Sequence, residues 1–308
     1  MVAVLFAVSV LVFLVFNVVP NTNPAQLLAG KNADQQLIEN IEEEWGFNDS
    51  LPQQYVTMME KVFSGELTSY KPRIPVDEQI IERIPATVSL SIGAAIIWLA
   101  LGLLLGYVSA KRAGGWLDRI LTGVSIAGVS IPVLLLGPVL IYVFATTLEI
   151  LPNGQYVPFE EDPAGWLEHL ILPWITLAIL SVGFYSRVLR SNMLDVMDED
   201  YVRTARAKGL SEGKVMRRHV LRNSLIPIVT LFGLDFGATI AGTAIITEII
   251  FSINGVGNYA AQAVGNFELP PVMGVTLYGA FFVVFVNALV DIAYAYLDPR
   301  VRLGESAA

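Results

Sequence analysis

Residues 84–110 read IPATVSLSIGAAIIWLALGLLLGYVSA, closed by Arg83 on one side and Lys111 on the other, with no Asp, Glu, Lys or Arg between them. A bilayer-spanning helix needs about 20 consecutive, mainly apolar residues, so this run is long enough to cross. Working outward, residues 1–19, 120–148 and 169–186 are also free of these charges, while 223–247 holds only Asp235 and 269–297 only Asp291. These six runs predict an all-α integral membrane protein with six transmembrane helices. The whole composition agrees: 54% of the 308 residues are hydrophobic and only 15% are charged, where soluble domains carry roughly 25%. The mean hydropathy is +0.59. With no cysteine, disulfides, thiolate catalysis and Cys-ligated metal centres are excluded. The net charge of −9 argues against nucleic-acid binding, which wants a basic patch.

A seventh charge-free run, 249–267 (IIFSINGVGNYAAQAVGNF), has the length of a span but centres on Asn-Gly-Val-Gly-Asn. That is turn chemistry, and unsatisfied backbone is not tolerated against lipid. It reads as an external loop carrying a short surface helix.

Basic residues orient the spans, because cytoplasmic loops hold the excess of Lys and Arg. With six helices, 14 of the 19 fall on one face: Lys111, Arg112 and Arg119, nine between Arg187 and Arg222, and Arg300 and Arg302. Loops 149–168 and 248–268 contain none. The basic face is therefore expected in the cytoplasm with both termini, and a seventh span would strand Arg300 and Arg302 outside. The expected organisation is a transmembrane helix at 1–19, an external segment at 20–83, and a transmembrane domain at 84–302. Its spans lie at about 84–110, 120–148, 169–186, 223–247 and 270–297, with a cytoplasmic loop at 187–222. A cleaved signal peptide is the alternative for 1–19, but the basic n-region of one is missing.

The external segment has 11 acidic and five basic residues, and QQLIENIEEEW (35–45) has helical apolar spacing. Pro72, Pro75 and Pro85 then punctuate the approach to the second span, predicting a small helical cap that ends in an extended linker. Asn48-Asp49-Ser50 is a glycosylation sequon. The outer regions sum to −6 (20–83) and −5 (149–168), against +4 for 186–222. An acidic exterior suits a salt-rich habitat, or attraction of a basic partner.

The connection 191–227, SNMLDVMDEDYVRTARAKGLSEGKVMRRHVLRNSLIP, carries the sharpest signal. Leu194, Met197, Tyr201, Ala205 and Lys208 recur at three- and four-residue intervals, predicting a helix that stops at Gly209. Ser211 is placed to cap a second helix, with Glu212 in its first turn and Arg217, Arg218 and Arg222 towards its end. A basic hairpin of this kind suits docking into another protein; anionic lipid headgroups would also hold it.

DYVRTARAKGLSEGKVMRRHVLRNSLIP resembles the cytoplasmic loop of type I ABC importer permeases of the peptide/nickel (dipeptide and oligopeptide) family. Further matches run in order along the chain: ERIPATVSLSIG (82–93), WLDR (116–119), HLILPWITLAI (169–179), EIIFSINGVGNYAAQAV (248–264) and VNALVDIAYAYLDPRVR (286–302). The resemblance implies the type I permease fold and a coupling helix that sits in a groove of an ATPase subunit. Carried over, the coupling positions are Tyr201, Arg203, Thr204, Ala205, Ala207, Lys208, Gly209 and Leu210. Arg203-Thr204-Ala205 stands where the generic loop has Glu-Ala-Ala. With the long external segment, this resembles the first, B-type, of two unlike permeases. The implied partners are a second, C-type permease, two cytoplasmic ABC ATPase subunits, an extracellular solute-binding protein and the lipid bilayer, with no nucleic acid. The implied function is a non-enzymatic permease subunit for dipeptides, oligopeptides or a related small solute.

No GxxxxGK[ST] phosphate loop occurs, so ATP hydrolysis falls to a partner. Gly255–Ala260 fits GxGxxA but opens no βαβ unit, and no cofactor or metal is expected. His169 and His219 fall on opposite sides of the membrane. Asp235 and Asp291 are intramembrane carboxylates, with Asn287 one turn before Asp291 as a hydrogen-bond neighbour. They read as helix-packing residues ahead of solute contacts. Two rival functions remain at this stage: an ion-coupled secondary transporter, and an intramembrane aspartyl protease using both carboxylates as a dyad, although its Gly-Xaa-Gly-Asp signature is missing.

Overall fold

The computed structural model describes residues 2–15, 25, 34–69, 74–266 and 268–297, apart from the side chains of 37, 40, 44, 45, 269, 291 and 293–297. Its backbone is helical, in the order α1 (Val2–Phe13), α2 (Gln35–Trp45), α3 (Leu51–Ser64), α4 (Val76–Lys111), α5 (Trp116–Ser130), α6 (Val133–Leu140, continued by a π-helical turn Ile141–Thr147) and α7 (Pro163–Met197). There follow α8 (Asp200–Ala207), α9 (Glu212–Val215, continuing through Met216–Leu221 and Arg222–Ser224), α10 (Ile226–Ala238, continuing through Thr239–Thr243), α11 (Ile245–Ile250), α12 (Val256–Gly265) and α13 (Leu269–Leu297).

Among the described residues, four helices are long and apolar enough to cross a membrane: α4, α7, α10 with its extension, and α13. The pair α5 and α6 makes a fifth if taken as one bent span. Helix α1 covers 12 residues, short of a span by itself, and the end of the expected 1–19 span lies outside the described residues.

The centre of the bundle is the pairing of α4 with α7. Gly93 faces Trp174, Gly102 faces Tyr185, and Gly106 faces the Ser186 carbonyl and Leu189. Small residues at these crossings let the backbones approach, which drives helix association where water cannot. Leu90, Ala94, Trp98, Leu170, Tyr185, Leu189 and Met193 fill the seam and are almost fully buried. Helices α10 and α13 pack in the same way, with Gly233 against Val290 and Gly237 against Val286.

Helices α2 and α3 form a cap at the end of the bundle where α4 begins. Gly46 ends α2 with φ +62°, and Gln53 Oε1 accepts from the Ser50 hydroxyl at 2.7 Å and its N–H at 3.3 Å to start α3. The cap docks through Tyr55, which pairs with Ser9 at 2.7 Å and meets Phe6 and Phe13 edge-on. Met58 packs with Val12, Phe13 and Met273.

Three expectations need correction. The linker before the second span does not extend through Pro85, because α4 starts at Val76 and holds Pro85 inside it. Asp77 and Glu78 suit its first turn, and the Ile81 carbonyl freed by Pro85 belongs to an exposed residue. Within 120–148 Pro132 does bend the chain: α5 and α6 meet at 98°, because Ile131, forced out of the helical region by Pro132, is extended at φ −85° and ψ 119°. The helix expected across 194–208 breaks at Asp198–Glu199, where Glu199 turns extended at ψ 143°. Finally, 249–266 lies only partly at the surface: Phe251, Ile253 and Val256 are buried, while Gln262 and Val264 are exposed. Its helix, α12, packs against α13 and α4.

Candidate functional site

Helices α8 and α9 form a hairpin at the far end of α4 from the cap. Val202 and Ala205 turn one face of α8 into the core beside Val215, Met216 and Val220. Five expected coupling residues, Arg203, Thr204, Ala207, Lys208 and Gly209, lie on the exposed side, as does Tyr201. Ala205 points inward and Leu210 is half-buried. The two groups therefore divide by role, one presenting a surface and the other seating it.

The turn is fixed by three devices. Gly209 takes φ +77° with open space where a Cβ would sit, a left-handed conformation that disfavours other residues. Ser211 stands at the start of α9, its carbonyl accepting from Lys214 N at 2.8 Å and Val215 N at 3.0 Å, but its side chain makes no cap. Arg206 spans the turn, donating from Nη2 to Glu212 Oε1 at 2.9 Å and from Nε to Oε2 at 3.2 Å. The same guanidinium reaches the Met197 carbonyl at 3.4 Å, and it holds the Glu212 carboxyl below its ordinary range. Tyr201 accepts from Asn223 Nδ2 at 2.7 Å, joining α8 to the far end of α9. Thr204 bonds back to the Asp200 carbonyl at 2.9 Å, and Arg203 sits 3.7 Å from Asp200.

Beneath the hairpin, Arg190 of α7 donates to both oxygens of Asp118, at 2.7 and 2.8 Å. Gly114 N–H (2.8 Å) and the Ser109 hydroxyl also bond to this carboxylate. Arg190 together with these donors holds the buried Asp118 well below the usual carboxylate range, against the opposing effect of burial. One side chain thus ties the end of α4, the start of α5 and α7, the helix that leads into the hairpin.

A third polar centre lies near the cap end. Glu248, fully buried, accepts from Thr87 Oγ1 at 2.7 Å and from Asn258 N at 2.7 Å. Thr87 in turn accepts from Val256 N at 2.8 Å. The carboxylate and hydroxyl together cap the start of α12, whose first N–H groups have no partner within the helix. Nearby, His169 Nδ1 is bonded to the Gly154 carbonyl, and Gln155 N donates to Phe251 O at 2.7 Å.

Among the intramembrane polar residues, Asp235 accepts from the buried Tyr185 hydroxyl at 2.8 Å, a helix-to-helix contact between α10 and α7. Asn287 is half-buried on α13. The side chain of Asp291 lies outside the described residues.

Sequence reasoning placed Glu212 in the first turn of α9 but missed its pairing with Arg206, and it missed Asp118, Arg190, Thr87 and Glu248. Arg206 and Glu212, six residues apart, meet only because Gly209 reverses the chain. For Glu248 a signal existed: a carboxylate just before a turn rich in unpaired N–H groups.

These features define a polytopic helical membrane protein with a rigid basic hairpin at one end of its bundle. The chain belongs to the family of binding-protein-dependent transport system inner membrane components, which matches residues 102–303, while the N-terminal membrane component of the same systems matches 1–91. It is 37% identical over 302 residues to the "Probable peptide ABC transporter permease protein y4tP" of Sinorhizobium fredii, covering 98% of this chain and 96% of that one. It is 34% identical over 324 residues to the dipeptide transport system permease DppB of Alkalihalophilus pseudofirmus (98% and 96%). To the glutathione transport system permease GsiC of Pectobacterium atrosepticum it is 35% identical over 299 residues (97% and 94%). Its fold is similar to that of an amino acid ABC transporter (TM-score 0.56, 15% identity, 71% of this chain and 94% of that one). It is also similar to the inward-facing MetNI methionine ABC transporter (TM-score 0.53, 14% identity, 72% and 96%).

The protein is therefore a multi-pass ABC permease subunit, itself non-catalytic, that works with ATPase and substrate-binding partners. Neither an ion-coupled secondary transporter nor an aspartyl protease is supported by these relatives.

Proposed function

We propose that this chain is the B-type half of a two-permease pore importing dipeptides, oligopeptides or a related small peptide-like solute. It pairs with a C-type permease, two cytoplasmic ABC ATPases and an extracellular solute-binding protein. Six spans cross the cell membrane, with residues 1–19 supplying the first, both termini in the cytoplasm and the cap of α2 and α3 outside. The hairpin of α8 and α9 is the coupling element. Tyr201, Arg203, Thr204, Ala207, Lys208 and Gly209 meet the ATPase, while Ala205 and Leu210 seat the hairpin on the bundle. Asp235, Asn287 and Asp291 act in helix packing.

The observation that carries this reading is the Arg206–Glu212 clasp across the Gly209 turn. A loop meant only for lipid headgroups needs no fixed shape, whereas a part that transmits force must keep its geometry. The test is copurification and uptake. An ATPase pair should come down with the intact chain and be lost with Arg203→Glu, while membrane insertion is unchanged. Normal ATP-driven peptide uptake by vesicles carrying Arg203→Glu and Gly209→Pro would overturn the coupling assignment.

A further inference from the structure

A cavity of about 300 Å³ opens between α4 and the junction of α9 with α10, walled by Leu99, Leu103, Ile228, Val229 and Phe232, with Arg222 and Asn223 at one end. That volume is at the small end of ligand pockets. Its polarity is one-sided. The walls are apolar and, among the described residues, no carboxylate lines the cavity. Asn223 spends its amide on the Tyr201 hydroxyl and the His219 carbonyl. Arg222 is exposed, and among the described residues no carboxylate pairs with it.

The depth is informative as well. Ten residues separate Arg222 from Phe232, about 15 Å of helix at 1.5 Å per residue, and half of a hydrocarbon core about 30 Å thick is the same length. On the other wall, Leu103 and Leu99 lie eight and twelve residues inside Lys111, the end of α4. The cavity thus runs from the level of the headgroups to the middle of the bilayer, with a cation at its wet end and hydrocarbon along its length.

We propose that this cavity binds an anionic phospholipid of the inner leaflet, with one acyl chain between α4 and α10 and its phosphate on Arg222. A zwitterionic peptide fits poorly, since its ammonium group would find no acceptor carboxylate there. The site lies directly beneath the hairpin, because Asn223 at its mouth is the residue that holds Tyr201. An occupied site would brace the seat of the coupling element. The leaflet assignment rests on the orientation proposed above.

The test uses the assembled transporter in detergent, with native mass spectrometry scoring binding of dioctanoyl phosphatidylglycerol against dioctanoyl phosphatidylcholine. The intact protein should favour the anionic lipid. Arg222→Gln should reduce that preference roughly fivefold, since a basic residue near an anionic surface is worth about one such factor. Leu103→Trp, which fills the cavity, should abolish tight binding of both. Lack of preference in the intact protein, a preference indifferent to both variants, or displacement of the lipid by a transported dipeptide would each overturn the proposal. Displacement by millimolar inorganic phosphate would do so too, by assigning the site to free anions. The chain has no cysteine, so Lys214→Cys, labelled from one side of sealed vesicles, reports orientation separately. Labelling from outside would reassign the leaflet and sink the orientation while the lipid result stood.

Discussion

Arg206 and Glu212 face each other across the turn of the hairpin at 2.9 and 3.2 Å, the two ends of a fork-shaped clasp closing on Gly209. Both are partly exposed, with side chains 38% and 56% accessible, so solvent screens them and the pair adds at most about 1 kcal/mol to stability. Its value lies in shape. Arg206→Ala and Glu212→Gln should leave thermal unfolding nearly unchanged while ATP-driven uptake in vesicles falls several-fold. Uptake that tracks only the small change in stability would show that the clasp has no part in coupling.

The Gly209 turn orders its own substitutions. Asn visits the left-handed region more readily than other residues, Ala is disfavoured there by roughly 1–2 kcal/mol, and Pro cannot reach φ +77° at all. Transport should decline in the order Gly, Asn, Ala, Pro, with membrane insertion constant throughout. Because nothing crowds the missing Cβ, an Ala variant as impaired as Pro would point to contact with a partner instead of backbone strain.

Asp118 and Arg190 behave differently because the Asp118 side chain is only 5% accessible. Asp118→Asn removes the charge from this pair while the Arg190 side chain stays 29% accessible, and it should cost about 1.5–3 kcal/mol, read as a fall in the unfolding temperature. The pH dependence has a definite sign. The folded carboxyl sits below its ordinary value, so its stabilisation is fully present above about pH 4, the unfolded value. It is lost only as pH falls from there towards the lowered value. The gap in unfolding temperature between the intact protein and Asp118→Asn should be flat from pH 5 to 8 and narrow in acid. A gap that widened in acid would contradict the ion pair.

Glu248 closes the start of α12 with Thr87. Glu248→Ala strands N–H groups in a buried place, at about 1–3 kcal/mol each, whereas Glu248→Gln keeps an acceptor and should lose less. Amide exchange over 256–262 should quicken strongly in the first variant and modestly in the second. Equal protection in both would mean that α12 is held by its packing alone.

Much of the helix inventory was legible in the sequence because lipid imposes a strict rule: long runs without charge must become helices. The run 84–110 lies wholly inside α4, and 169–186 wholly inside α7. Less legible were events decided by tertiary contact. Pro132 signals a bend, but the 98° turn depends on where α6 finds its packing. The 194–208 spacing put Tyr201 and Lys208 on one face with Ala205, but the chain breaks at Glu199, both of those residues are exposed, and Val202 and Ala205 reach the core instead. The site showed the same division. The Gly209 stop followed from local pattern and the coupling positions from the family resemblance, while Arg190 meets Asp118 across 72 residues, a pairing that spacing along the chain does not encode.

Helix α4 has a mechanical consequence. At 36 residues it is a rod of about 54 Å, with Val76 packed under the cap and Leu103 beside the seat of the hairpin. Its close crossing with α7 at Gly102 and Gly106 is a fulcrum part-way along. A tilt of about 5° there displaces one end against the other by roughly 5 Å over that length. The two faces of the membrane are thus geared together through one continuous piece of backbone, and a small rotation at the hairpin becomes a side-chain-sized shift beneath the cap.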